Sequence, residues 1–209
     1  VIYFTMSISS KSPFINYSTL EELLAEQNWK EADKETLQIM RQCSFNGGFP
    51  ASVLDEFPCE VLRTLDELWV RYSKGRFGFS VQRECYLAFL DKQSLDSETY
   101  PTDDRSEPWR KFGKAVGWGD EKNLGLGDGL YGEDRYWLWD SPENPFHYNS
   151  HWYDNLTFSL DAPVGHLPIL RGEIWEALDL INQDYAVGFG LDTVRGACLF
   201  RRLELCCIS

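Results

Sequence analysis

The stretch FPCEVLRTLDELWVRYSKGRFGFSVQ occupies residues 57–82, and its apolar residues recur at helical spacing. Leu62, Leu65, Leu68, Trp69 and Tyr72 fall three or four apart, which puts them on one stripe of a helix. Pro58 suits the first turn of that helix, where its missing N–H removes a donor that has no intrahelical partner anyway. Lys74-Gly75 ends it, and a second helix begins at about Ser80 and runs through Val81, Tyr86, Leu87 and Leu90. The two helices are joined by a short glycine-containing corner, with no alternation of the kind a strand requires.

Toward the N-terminus, residues 18–42 read as a helix pair. Ser18 and Glu21 fit the S-x-x-E capping box. Leu20, Leu23 and Leu24 give one apolar face, Glu26-Gln27-Asn28 the corner, and Trp29, Ala32, Thr36, Ile39 and Met40 the next face. The hairpin resembles one unit of a helical solenoid, but no second copy follows at a fixed period. Asn46-Gly47-Gly48 marks a loop, Asp91 to Pro108 is polar and acidic, and Trp109 to Val116 is a short helix. From Gly117 to His151, glycines, acids and aromatics mix without a period, as in a long irregular insertion. Asn155 to Leu170 is extended or turn-like, with Pro163 and Pro168 opposing a helix. Ile174 to Ile181 reads as helical, and Ala197 to Cys206 as a terminal helix. The expected fold class is mainly α: short packed helices interrupted by an insertion at about 119–151.

The 209 residues suffice for one domain with a real core. The charge narrows the function: 33 Asp+Glu against 20 Lys+Arg leave −13, so phosphate backbones and anionic headgroups are repelled and nucleic acid is not an expected partner. An anionic ligand must then be held by a local basic cluster. No apolar run approaches the roughly 20 residues of a spanning helix. Val1 to Pro13 has neither the form of a signal peptide nor the arginines of a transit peptide. Because Val1 opens the chain, either Met6 is the start or this is a piece of a longer protein. The six cysteines show no C-x-x-C pair, and buried thiols in a reducing compartment are expected. Aromatic residues make up 15%, with eight Trp, more than a core of this size needs; flat side chains also grip flat ligands.

The stretch Phe57-Pro58-Cys59, Leu62-Arg63-Thr64-Leu65-Asp66, Leu68-Trp69, Ser73, Gly75 and Phe77-Gly78-Phe79-Ser80-Val81-Gln82 resembles the signature of the genomes-uncoupled-four family. Trp29-Lys30-Glu31-Ala32-Asp33 with Glu35-Thr36 is similar to the family's first helix pair. Val116-Gly117-Trp118, Leu156-Thr157-Phe158-Ser159-Leu160, Ala162-Pro163 and Gly165-His166-Leu167-Pro168 are similar to its C-terminal half, and Leu199 to Cys206 to its closing segment. The resemblance runs in order from about Tyr17 to Cys206, which suggests an extension over 1–16 and a domain over 17–207. It departs from the family at about Gly119–His151 and Leu170–Asp192, both longer than the family pattern and near the region expected to line the ligand cup. The resemblance implies a cupped helical domain that binds protoporphyrin IX or magnesium protoporphyrin IX, or in some members a linear bilin. It further implies action on the porphyrin-binding large subunit of magnesium chelatase in chlorophyll biosynthesis, without catalysis. The alternative it leaves open is a porphyrin- or bilin-sensing module of a signalling protein. The implied setting is the cyanobacterial cytoplasm or the plastid stroma, with peripheral association to the thylakoid membrane.

A porphyrin is an apolar disc with two propionates at one edge, so it asks for aromatic walls and for arginine, whose fork matches a carboxylate. Phe77 and Phe79 flank Gly78 just after Lys74 and Arg76, and serve either as disc contacts or as core at a helix junction. Trp152 and Tyr153 precede the Leu-Thr-Phe run, where the family carries a ligand-facing tryptophan; Trp137 and Trp139 are rivals inside the insertion. Trp29, Trp69, Trp109 and Trp118 lie on apolar faces and read as core. Arg195, Arg201 and Arg202 form the densest basic cluster, joined by Arg171, and are the propionate candidates, against the alternative of a solvated helix face.

Other chemistries find little support. The glycine-rich run from Gly125 to Gly132 lacks the Lys and Ser/Thr of a phosphate loop. His147 and His151 are four apart without a helical run between them, and no further metal ligands stand at matching spacing. His166 is expected to play a hydrogen-bonded part in a rigid turn. No nucleophile–base or paired-carboxylate arrangement is legible.

Overall fold

The computed structural model describes residues 15–43, 51–90, 107–118, 156–169 and 193–208. Among them the regular elements are all helices: α1 Ser18–Ala25, α2 Trp29–Gln42, α3 Ala51–Asp55, α4 Cys59–Tyr72, α5 Phe79–Leu87, α6 Glu107–Ala115 and α7 Thr193–Leu205. The mainly α expectation holds. The short α3 was not foreseen, and α7 starts earlier than Ala197. The loop expected at Asn46-Gly47-Gly48, the insertion at 119–151, the helix expected at 174–181 and most of the loop expected at Asp91 to Pro108 lie outside the described residues. The last two residues of that expected loop, Glu107 and Pro108, instead open α6.

The periodic faces bury as their spacing dictates. Leu62, Leu65, Leu68 and Trp69 of α4 are buried, and so are Leu20 and Leu24 of α1 and Trp29, Ala32, Ile39 and Met40 of α2. Helix α1 packs on α2 and α4, while α7 packs chiefly on α3 and also on α4 and α5. Two aromatic groups anchor the core. Trp29, Trp69 and Phe77 meet with ring centroids 5.5–6.4 Å apart. Tyr86, Phe112 and Phe200 meet at 5.6–5.9 Å, with Trp118 edge-on to Phe112 at 5.1 Å. Tilted and edge-to-face pairs of this kind add to the area they bury.

The helix ends are closed by the backbone. After α1, Asn28 N–H donates to the Leu23 carbonyl at 2.8 Å and Gln27 N–H to Leu24 at 3.1 Å, with Gln27 left-handed at φ 59°. This is the paired arrangement that satisfies the last carbonyls of a helix. Lys74 and Cys207 take the same position after α4 and α7, at φ 58° and 54°.

Two expectations are corrected. Ser18 does not cap α1: Tyr17 stands at the cap, and the Ser18 N–H donates to Asn16 Oδ1 at 3.0 Å. Glu21 instead accepts from the Tyr72 hydroxyl at 2.9 Å, a tertiary partner that draws it away from its own helix end. The cysteines are not all thiols. Cys59, the first residue of α4, is disulfide-bonded to Cys206 just beyond α7, with Cα atoms 5.3 Å apart across 147 residues of sequence. Cys43, Cys85 and Cys207 take no part in a disulfide, and Cys207 is exposed.

Candidate functional site

The Gly165-His166-Leu167-Pro168 turn is the point on which most of the described elements converge. At the corner between α4 and α5, Gly78 N–H donates to the Leu167 carbonyl at 3.0 Å, and Gly165 N–H to the Arg76 carbonyl at 2.9 Å. Arg76 Nε donates to the Ala162 carbonyl at 2.8 Å. Gln82 Nε2, on α5, donates to the Pro168 carbonyl at 2.7 Å. From α2, buried Asp33 accepts the Ile169 N–H at 2.6 Å. The Leu167–Pro168 peptide is cis.

Glycine is required where this turn meets its neighbours. At Gly78, φ is 141° and a Cβ would stand 2.8 Å from Val70 Cγ2 and 2.9 Å from Asp66 Oδ1. The same Asp66 oxygen accepts the Ser80 N–H at 2.8 Å, so a carboxylate on α4 closes the open first turn of α5. Burial pushes the Asp66 carboxyl above its ordinary range, and the bonds from Ser80 and Phe79 oppose that rise.

His166 is buried, and its Nδ1 lies 2.6 Å from the Val116 carbonyl. A carbonyl can only accept, so Nδ1 carries the proton and donates. Nε2 is left buried with no hydrogen-bond partner. Protonating it would place a charge in an apolar setting, and burial accordingly holds the imidazole below its ordinary value. His166 is thus a neutral member of a rigid turn. Among the described residues, no group of three or more His, Cys, Asp or Glu could hold a metal ion.

The hub also sets where the long segments leave. Trp118 Nε1 donates to the His166 carbonyl at 2.8 Å. Trp118 is the last described residue before 119–155, and Ile169 the last before 170–192. Both segments therefore depart from one hydrogen-bonded hub.

The residues expected at a ligand site divide into three groups. Phe77 and Phe79 are fully buried; Phe77 packs edge-on against Trp29 at 5.5 Å, so both belong to the core at the helix junction. Trp29, Trp69 and Trp118 are core, as their positions indicated. Arg201 is ion-paired with Asp55, and Arg202 Nε donates to the Phe57 carbonyl at 2.7 Å; both fasten α7 to the region of α3. Trp137, Trp139, Trp152, Tyr153 and Arg171 lie outside the described residues, and Arg195 lies in the first turn of α7 with its side chain outside them. One pair escaped the sequence reading. Lys30 Nζ stands 5.6 Å over the ring of half-buried Phe158, a cation–π contact between α2 and the 156–169 segment. No local pattern signals it, because the partners are far apart in sequence.

A family model described as GUN4-like matches residues 10–182. The chain belongs to the GUN4-like family. It is 37% identical over 76 residues to the chloroplastic tetrapyrrole-binding protein of Arabidopsis thaliana, covering 34% of this chain and 29% of that protein. It is 26% identical over 162 residues to a Ycf53-like protein of Synechocystis, covering 75% of this chain and 52% of that one. The chain thus spans about half, or less, of the length of these curated relatives. The structure of GUN4 from Chlamydomonas reinhardtii superposes with a TM-score of 0.52 at 20% identity, covering 91% of this chain and 90% of that one. At that identity the likeness concerns the fold alone. The GUN4-like match takes in the helix pair, the α4–α5 stretch and the Gly-His-Leu-Pro hub, the parts whose geometry is set out above.

Proposed function

We propose that this chain binds a tetrapyrrole, protoporphyrin IX or its magnesium complex, and regulates magnesium chelatase through the enzyme's porphyrin-binding large subunit, with no chemistry of its own. The observation that carries the reading is the shared hub. A family whose relatives include a named tetrapyrrole-binding protein here has two long segments leaving from one turn, and those segments contain Trp137, Trp139, Trp152, Tyr153 and Arg171. With Phe77 and Phe79 spent on the core, these aromatics are the residues left to wall a flat disc. Arg171 and Arg195 are left to hold the propionates, since Arg201 and Arg202 are engaged within the protein. A plastid or cyanobacterial cytoplasmic setting accords with the chloroplastic and cyanobacterial relatives. No helix among the described residues is long and apolar enough to cross a membrane; the proposed thylakoid association is peripheral.

The test is a Soret-band titration with protoporphyrin, its magnesium complex and a bilin, read together with tryptophan quenching. Saturable quenching with a shifted band for either porphyrin is the expected result. Neither change at tens of micromolar, the weak end of useful affinity, defeats the proposal. A response to the bilin alone moves the chain to the sensory reading. Added to magnesium chelatase, the protein should change that enzyme's kinetics while turning over nothing by itself.

A further inference from the structure

We propose that the Cys59–Cys206 disulfide is a reversible redox latch: a dithiol opens it in the folded protein, and its state sets how tightly the end of α7 is held against α3 and α4. The bond joins the first residue of α4 to the residue just past α7. It closes a loop of 147 residues that contains both long segments leaving the hub. Two features separate it from a bond placed only for stability.

The first is what surrounds it. The Arg63 guanidinium donates to the Cys206 carbonyl at 2.7 Å, Arg202 Nε to the Phe57 carbonyl at 2.7 Å, and Arg201 pairs with Asp55. Leu203 and Ile208 are buried on either side of Cys206. These contacts all survive cleavage of the sulfur–sulfur bond. The chain therefore has two states of one packing, with α7 held covalently in one and only by polar and apolar contacts in the other.

The second is access and setting. Cys59 is half-buried, whereas Cys206 is buried. An external thiolate therefore attacks the Cys59 sulfur; the bond to Cys206 breaks, and the Cys206 thiolate leaves and takes a proton. The second thiol of the reagent then displaces Cys59, whose thiolate emerges at the N-terminus of α4, where the helix dipole favours it. The balance is two electrons and two protons from the dithiol, which becomes a disulfide, while the protein gains two thiols. Resting on the plastid or cytoplasmic setting proposed above, the compartment keeps most thiols reduced, and a disulfide found there is usually transient or sensing.

The test uses the full chain without ligand, so it is independent of tetrapyrrole binding. Air-oxidised protein should yield a linked Cys59–Cys206 peptide. In native buffer the bond should open at a rate first-order in dithiothreitol and close again in oxidised dithiothreitol, as read by alkylation and mass spectrometry. Opening should speed hydrogen exchange at the amides of Cys206, Cys207 and Ile208 about tenfold or more while leaving α1 and α2 unchanged. Oxidised Cys59→Ser should exchange like reduced wild type, and Cys206→Ser gives the same comparison if the first variant folds poorly. Cys207→Ser should leave the latch working. Absence of the linked peptide, an opening rate independent of dithiol concentration, or exchange unaffected by reduction each overturns the proposal.

Discussion

The Trp118 indole N–H donates to the main-chain carbonyl of His166 at 2.8 Å, and the His166 ring donates back to the Val116 carbonyl at 2.6 Å. The end of α6 and the Gly-His-Leu-Pro turn are thus tied by two bonds of opposite direction, in a place where all the partners are screened from water. Trp118→Phe keeps an aromatic edge for Phe112 but removes the donor, leaving a buried carbonyl unpaired. It should cost about 1–2 kcal/mol, the scale of an unmade buried hydrogen bond. Urea unfolding of the two proteins under oxidising conditions measures this, and a change much below that range would mean the carbonyl finds another donor.

Gly78 and Gly75 offer a contrast within one corner. Gly78→Ala brings a Cβ to 2.8 Å from Val70 Cγ2 and 2.9 Å from the Asp66 oxygen that holds the first turn of α5, at a φ that side chains rarely adopt. The expected loss is about 3 kcal/mol or more, since strain, overlap and a disturbed cap act together. Gly75→Ala, at φ 79° with nothing within 4 Å, should cost only about 1 kcal/mol for the left-handed backbone. Thermal or urea midpoints that rank the two the other way would refute the account of this corner.

That corner also shows what the sequence made legible. The periodic faces of α1, α2 and α4 and the break near Lys74-Gly75 could be read directly, because 3.6-residue spacing and glycine act locally. Lys74 and Gly75 both take positive φ, 58° and 79°; the glycine is the expected left-handed residue, while the lysine before it carries no such local signal. The assignment of Ser18 and Glu21 to a capping box failed for a related reason: Tyr72, more than fifty residues on, competes for Glu21. Phe77 and Phe79 read from sequence either as ligand contacts or as core, and only the folded chain decides: Phe77 packs against Trp29 and Trp69, and Phe79 is fully buried. The Cys59–Cys206 bond was hidden by its 147-residue separation, which no spacing rule bridges.

His166 makes stability depend on pH with a definite sign. Burial holds its folded pKa below the ordinary 6.5, so between the folded value and 6.5 the unfolded chain binds a proton that the folded chain does not. Stability therefore falls as pH drops from 6.5 towards the folded value, and the loss ends below it. His166→Asn retains an N–H donor for the Val116 carbonyl but does not titrate, and should flatten this fall. Asp66 works in the opposite sense: its carboxyl, raised above 3.8 by burial, contributes stability below 3.8 that is lost as pH rises through the folded value. Because Asp66 is present in both proteins, the difference between their urea midpoints from about pH 7.5 to about pH 5.5 isolates the histidine. Parallel curves would show that the imidazole does not carry the dependence.

Arg195 provides the sharpest test of the proposed tetrapyrrole site. It stands in the first turn of α7, directly after the 170–192 segment that leaves the hub, while Arg201 and Arg202 further along the helix are bonded to Asp55 and Phe57. If Arg195 pairs with a propionate, Arg195→Ala should weaken porphyrin binding by about 1–3 kcal/mol, the scale of a lost charge-assisted hydrogen bond. Arg195→Lys should restore only part of this, because a point charge cannot reproduce the two-pronged geometry of guanidinium on carboxylate. Porphyrin diester, which lacks the carboxylates, should bind wild type and Arg195→Ala about equally, and that equality separates a lost pairing from general damage to α7. A diester that also binds the variant more weakly would make Arg195 structural. The propionate end of the site would then be sought at Arg171, by the same three-way comparison of acid, diester and variant.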